Sequence, residues 1–308
     1  MEQLTYDAVK AAGERIAGRV RPVVVARGDE GERTWLALEF LQHTGSFKAR
    51  GAQNFLLAHA EAGTLPDSGV TIASGGNAGL ACAWAARELG VRATVFLPET
   101  ASPVKLGRLR SYGAEVRLVG REYAEALAAC EEFAASSGAL ASHAYDHPLI
   151  AAGAGTVLEE IRAQVPGLDT VVVSVGGGGL FAGVAVAARE HGVRVVAVEP
   201  EGSRALNAAL EAGRPVDVPV ASVAQDALGA RRATALAVEA AAHEGVRSVL
   251  VPDEAIVRAR RRLWDERRIA VEFAASTALA ALDGVTGERV AVLLCGANTD
   301  PSDLVERA

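Results

Sequence analysis

The sequence predicts an α/β protein made of two doubly wound lobes with parallel sheets. Three observations carry that expectation. Short β-branched apolar runs alternate with Ala-rich runs of helical period. The apolar runs are continuous rather than alternating with polar residues, which is how strands buried on both faces of a parallel sheet read. The alternation comes in two series, as two repeating βα units would produce.

In the first series, strands at 70–73, 93–97 and 115–119 are each followed by a helix, at 78–89, 104–112 and 123–136. In the second, strands at 171–175, 195–198 and 248–251 precede helices at 180–190, 204–212 and 253–266, and a strand at 290–294 closes the series. Between them lies 137–156, rich in Gly, Ala, His and Pro, read as the crossing from one lobe to the other. The expected division is a larger domain from 1–51 plus 148–308 and a smaller one from 52–147.

A chain of 308 residues can bury a substantial core. Half of it is hydrophobic and 22% is charged, which excludes wholesale disorder. The formal charge is −7 with no long basic run, so a polyphosphate surface would be repelled and no nucleic-acid partner is expected. At the start, Glu2, Asp7, Lys10, Glu14 and Arg15 are spread among apolar residues, which suits an amphipathic helix and not a signal peptide. The longest apolar run, 171–188, holds four consecutive glycines and reads as strand, turn and helix, so no membrane association is expected. Cys82, Cys130 and Cys295 are too few and too odd for a disulfide framework, and a cytoplasmic protein is expected. His143 and His147 lack a third ligand nearby, so no metal is expected on them. No appended regulatory module is expected after the last strand.

Five segments could carry chemistry. In 44–51, small and capping residues lead into a helix starting near Ser46, so Lys48 falls in the first turn. A cation there meets the partial positive charge of the helix N-terminus, and a lysine that sheds its proton can form a Schiff base. The competing reading is a solvated surface lysine. In 173–180, a buried strand runs into Gly176, Gly177, Gly178 and Gly179 and then a helix, so several amides can converge on one anion. Packing in a tight turn is the alternative. The spacing of Gly177, Gly179 and Ala182, with Glu199 some way downstream, also satisfies a relaxed dinucleotide fingerprint, and local spacing leaves NAD open. In 73–79, Ser74, Gly75, Gly76 and Asn77 either cap a helix or bind a carboxylate or ring hydroxyl. Cys295, at the C-terminal end of the last strand, is either a ligand contact or plain packing. Glu272, within the apolar run 269–275, is a buried acid needing a partner or an exposed loop acid.

Taken in order, these segments resemble the serine/threonine dehydratase group of fold-type-II pyridoxal-phosphate (PLP) enzymes, from about Gly45 to Asn298. Ser46-Phe47-Lys48 is similar to the group's cofactor-lysine motif, 74–86 to its Ser-x-Gly-Asn loop and helix, 146–156 to its inter-lobe crossing, and Gly176–Gly179 to its phosphate loop. The resemblance implies PLP in the cleft between the lobes. Lys48 would hold it as a Schiff base and then remove the substrate α-proton. Phe47 would lie against the pyridine ring, Asn77 would bind its 3-hydroxyl, and Gly176, Gly177, Gly178 and Gly179 its phosphate. Cys295 would face the ring nitrogen, where a thiol leaves the ring a weaker electron sink and favours prompt elimination. Ser74, Gly75, Gly76 and Asn77 would hold the substrate carboxylate. Glu199, with the carbonyls of Ser203 and Ala205, matches a site for a monovalent or divalent cation.

The implied activity is L-serine/L-threonine ammonia-lyase, which releases pyruvate or 2-oxobutyrate and ammonium, in a homodimer acting on a small amino acid. The alternatives are a lyase for 3-hydroxyaspartate or phenylserine, or a β-replacement or racemase relative. Gly75 stands where racemising relatives place a second Ser, which argues against racemisation and implies a wider pocket. Ala78 and plain glycines stand where cysteine-synthase-like relatives carry Thr, which argues against β-replacement. Phe273 and Ala297 depart from the group's usual Pro and Gly.

Overall fold

The computed structural model describes residues 4–28 and 33–305. The chain opens with α1 (Tyr6–Ile16), capped by Thr5, whose hydroxyl accepts the Ala8 amide; residues 1–3 of the expected first helix lie outside the described residues. β1 (Val25–Arg27) and β2 (Thr34–Ala37) follow, and then α2 (Lys48–Glu61). The first βα series is β3 (Val70–Ala73), α3 (Asn77–Glu88), β4 (Ala93–Leu97), α4 (Pro103–Ser111), β5 (Glu115–Leu118), α5 (Tyr123–Ser137) and β6 (Leu140–Ala141). After α6 (Pro148–Gly155) and α7 (Val157–Gln164) come β7 (Thr170–Ser174), α8 (Gly179–Glu190), β8 (Arg194–Pro200), α9 (Ala205–Ala212), α10 (Gln225–Leu228) and α11 (Ala235–Ala241). The chain finishes with β9 (Val246–Val251), α12 (Asp253–Arg267), α13 (Phe273–Ala280), β10 (Val290–Leu293) and α14 (Ser302–Val305).

Two sheets result. The larger has the order β1-β2-β10-β7-β8-β9 and the smaller β5-β4-β3-β6. Every pairing is parallel except β1 with β2. The two-lobed α/β expectation therefore holds, with an antiparallel edge hairpin added. That edge was not expected from the sequence: its short apolar runs, 23–26 and 35–38, are not directly followed by a run of helical period and so fall outside the βα alternation. The 137–156 crossing is also more structured than expected, since it supplies β6 and α6.

All residues of β7 and of β10 are buried, as continuous Val-rich runs require. One core gathers Phe181, Leu158, Ile161 and Leu206 around the larger sheet, and a second gathers Phe55, Leu56, Trp84 and Leu109 around the smaller. Each such side chain contributes about 1.5–3 kcal/mol when removed from water. We propose that the domains divide as the sequence suggests, at about 51 and 148. β10 and β7 are neighbours, so the segments leaving their C-terminal ends, Cys295 and the glycine turn, emerge side by side.

Candidate active site

The approach to Lys48 is held by backbone geometry. Thr44 and Gly45 both adopt left-handed conformations (φ 63 and 77°), turning the chain sharply before α2. Ser46 is then extended and bridges to Gly296, and the Phe47 amide donates to the Cys295 carbonyl at 3.0 Å. These contacts pin the start of α2 to the end of β10 and place Lys48 beside Cys295. One turn in, Arg50 is fully buried and paired with Glu39 at 2.6 Å and Glu160 at 2.7 Å, which locks the helix's orientation.

The Lys48 amine donates to the Ala144 carbonyl at 2.7 Å and lies 4.8 Å from the centre of the Phe47 ring and 5.9 Å from that of Tyr145. Its pKa is lowered to about 8 because burial penalises the ammonium, while Cys295 and Glu272 pull the other way. The direction matches the expectation, but the principal cause is burial rather than the helix N-terminus. Cys295 is buried, 3.6 Å from the Ser174 hydroxyl, and burial pushes its thiol up to about 12. Next to a readily neutral amine, then, stands a thiol that stays protonated.

The glycine turn joins β7 to α8, with Gly178 at φ 101°. Packing accounts for part of its composition. A Cβ on Gly177 would overlap the Tyr145 ring, one on Gly178 would overlap Ala237 of α11, and one on Gly179 would press on the Tyr145 carbonyl at 2.6 Å. Packing does not account for the amides. Among the described residues no acceptor is found for the amides of Gly176, Gly177 or Gly178, at the head of a helix where anions bind. Unpaired amides there, on a turn packed against Tyr145 next to the Ala144 carbonyl that accepts the Lys48 amine, fit a phosphate-bearing aldehyde.

Ser74, Gly75 and Gly76 form the turn from β3 into α3, and nothing lies within 4 Å of where a Gly76 Cβ would stand. Gly75 differs from its expected part. A Cβ there would lie 2.6 Å from Leu97 Cδ2, so its missing side chain makes room for the end of β4 and does not widen a pocket. Asn77 is engaged at both ends. Its Nδ2 donates to the two Glu272 oxygens at 3.0 and 3.1 Å, and its Oδ1 accepts from Asn298 at 2.6 Å. Glu272 is thus a buried, partnered acid, with its pKa raised chiefly by burial. Gly296 leaves the room its carboxylate occupies.

Glu199 stands apart from this group. Wholly buried, it accepts the α9 amides of Leu206 and Asn207 at 2.7 and 2.8 Å, and burial raises its pKa to about 7. Ser203 donates its hydroxyl to the Leu228 carbonyl, and Ala205 opens α9. A carboxylate turned onto α9 does not present a ribose-binding acid to the glycine turn. Tyr145, Ala144 and Leu97 carry no signal in the sequence, since their importance lies only in where the fold brings them; Asn298, where the resemblance ends, had no assigned part.

Two parallel α/β lobes with a half-buried lysine, a glycine turn and a neutral thiol converging between them define a fold-type-II PLP-binding protein. The comparisons agree. The profile of the family described as "Pyridoxal-phosphate dependent enzyme" matches residues 19–296, and the chain belongs to that family. It is 38% identical to a serine dehydratase-like protein of Rattus norvegicus over 90% of this chain and 88% of that one. It is 35% identical to an L-threonine ammonia-lyase of Geobacter sulfurreducens (96% and 76%), and 37% identical to a phenylserine dehydratase of Ralstonia pickettii (85% and 82%). Among solved structures it is similar to maize serine racemase, with a TM-score of 0.91 at 27% identity over 99% and 96% of the two chains. The chain is a PLP-dependent enzyme of the serine/threonine dehydratase group, a group of carbon–nitrogen lyases. No described helix is long and apolar enough to cross a membrane.

Proposed function

We propose that the protein is an L-serine/L-threonine ammonia-lyase that eliminates water from a small β-hydroxy amino acid and releases pyruvate or 2-oxobutyrate and ammonium. The observation that carries the reading is the half-buried Lys48 amine, held on the Ala144 carbonyl at 2.7 Å with its pKa lowered to about 8, beside the buried Cys295 thiol. PLP, when bound, supplies an electron sink for charge developing at the substrate Cα. Lys48 holds that group and serves as the base at the Cα proton. Gly176, Gly177, Gly178 and Gly179 bind the phosphate, Phe47 flanks the ring, and Asn77 faces its hydroxyl. Ser74, Gly75, Gly76 and Asn77 orient the substrate carboxylate. Cys295 offers a neutral thiol that yields its proton poorly, which disfavours long-lived charge at Cα and favours prompt departure of the β-hydroxyl.

A cation beside Glu199 and the carbonyls of Ser203 and Ala205 belongs to the same proposal, since a wholly buried carboxylate calls for a compensating charge. So do a homodimer and a cytoplasmic location. A higher melting temperature in potassium or magnesium that is lost in Glu199→Ala supports the cation.

The test is keto-acid release from a panel of hydroxy amino acids. Turnover of serine and threonine supports the assignment. If both are inert while phenylserine or 3-hydroxyaspartate reacts, the alternative lyase reading replaces it; the likeness to a phenylserine dehydratase keeps that reading in view. The visible cofactor band should vanish in Lys48→Ala.

A further inference from the structure

Asn298 is held by two helices of the opposite lobe. Arg108, on α4, donates from Nη2 to Asn298 Oδ1 at 2.6 Å. Asn298 Nδ2 then donates to the Thr44 carbonyl at 2.7 Å and to Asn77 Oδ1 at 2.6 Å, and Asn77 Nδ2 donates to Glu272. The chain of bonds runs from a guanidinium, which can only donate, to a carboxylate, which when ionised can only accept. With those ends, both amides between them have one orientation that satisfies every partner. Asn298 follows β10 of the larger sheet, whereas Asn77 and Arg108 sit on α3 and α4 around the smaller one. Among the described residues no carboxylate lies within ion-pair distance of Arg108, so its charge is directed at this amide, and charged donors make the stronger hydrogen bonds.

We propose that Arg108 is a positioning residue that sets the place and orientation of Asn77 in the cleft through Asn298. The proposal rests on the reading that Asn77 faces the cofactor. The same helix provides a control: Lys105 also crosses between the lobes, pairing with Asp226 of α10 at 3.0 Å, but it does not touch Asn298. An ion pair at the surface contributes little.

Spectral titration of cofactor-free protein with PLP should show the dissociation constant of Arg108→Ala raised about tenfold, the loss of one hydrogen bond from a charged donor, together with a shifted visible band. Arg108→Lys, which keeps a charged donor, recovers part of the loss, and Lys105→Ala stays within about twofold of the parent. In cofactor-free protein, hydrogen exchange at the first turn of α3 should rise in Arg108→Ala and not in Lys105→Ala. This arm needs no cofactor: if the parent protein took up no PLP, the functional reading would fail while exchange still decided the role of Arg108. Unchanged affinity, band and exchange in Arg108→Ala overturn the proposal. An equal effect of Lys105→Ala also overturns it, because Arg108 would then be one lobe contact among others. Should Arg108→Ala fail to fold, Arg108→Gln, which retains a neutral donor, is measured in its place with the same criteria.

Discussion

The lowered pKa of Lys48 has a measurable signature in the rate at which the amine captures an aldehyde. At pH 7 a lysine of pKa about 8 is roughly one-tenth neutral, whereas one at the usual 10.5 is neutral in about one molecule in 3,000, a difference of about 300-fold in nucleophile. The assay mixes cofactor-free protein with PLP across pH 6 to 10 and follows the visible band. Each rate is divided by that of Nα-acetyl-lysine under the same conditions, which cancels the cofactor's own ionisation. Below about pH 8 both amines gain neutral form together and the ratio stays constant; above it Lys48 saturates and the ratio falls about tenfold per pH unit. A ratio that remains flat to pH 10 would refute a buried amine. The same shift bears on stability. The folded state binds fewer protons than the unfolded one between about 8 and 10.5, so cofactor-free protein should gain stability as pH rises through that window, by at most about 3 kcal/mol. Lys48→Met should lack that slope.

Three further outcomes are expected. Gly75→Ser should lower stability by about 1–3 kcal/mol, because its Cβ meets Leu97 at 2.6 Å, and Leu97→Val should restore much of the loss; chiral analysis of residual substrate should detect racemisation in the double variant before the single one. Cys295→Ser should retain keto-acid release, since a hydroxyl is also neutral and can meet Ser174; an inactive, folded Cys295→Ser enzyme would discredit the thiol's role. Arg50→Ala should cost about 3–5 kcal/mol in urea unfolding, because it strands Glu39 and Glu160 without their shared counter-charge, and a loss under about 1 kcal/mol would contradict the buried network.

Much of the molecule was legible from local pattern. The buried strands, the helices that follow them and the glycine turn announce themselves because a two-faced strand must be continuously apolar and a turn of positive φ favours glycine. Gly178 at φ 101° is such a case. The edge pair β1 and β2 was not picked out, since its apolar runs at 23–26 and 35–38 have no helix directly after them and lie outside the βα alternation.

Lys48 could be singled out from its neighbours in sequence, yet what lowers its pKa is burial, which comes from packing against elements far along the chain such as the segment that carries Ala144. The same holds for Glu272, whose partner Asn77 is 195 residues away, and for Gly75, whose missing side chain answers to Leu97 rather than to a ligand. Sequence by itself determined which residue types could do this chemistry and on which elements they ride. Tertiary structure alone decided which of them are desolvated and which amides remain unpaired, because burial and hydrogen-bond partnership belong to packed surfaces and not to any one segment.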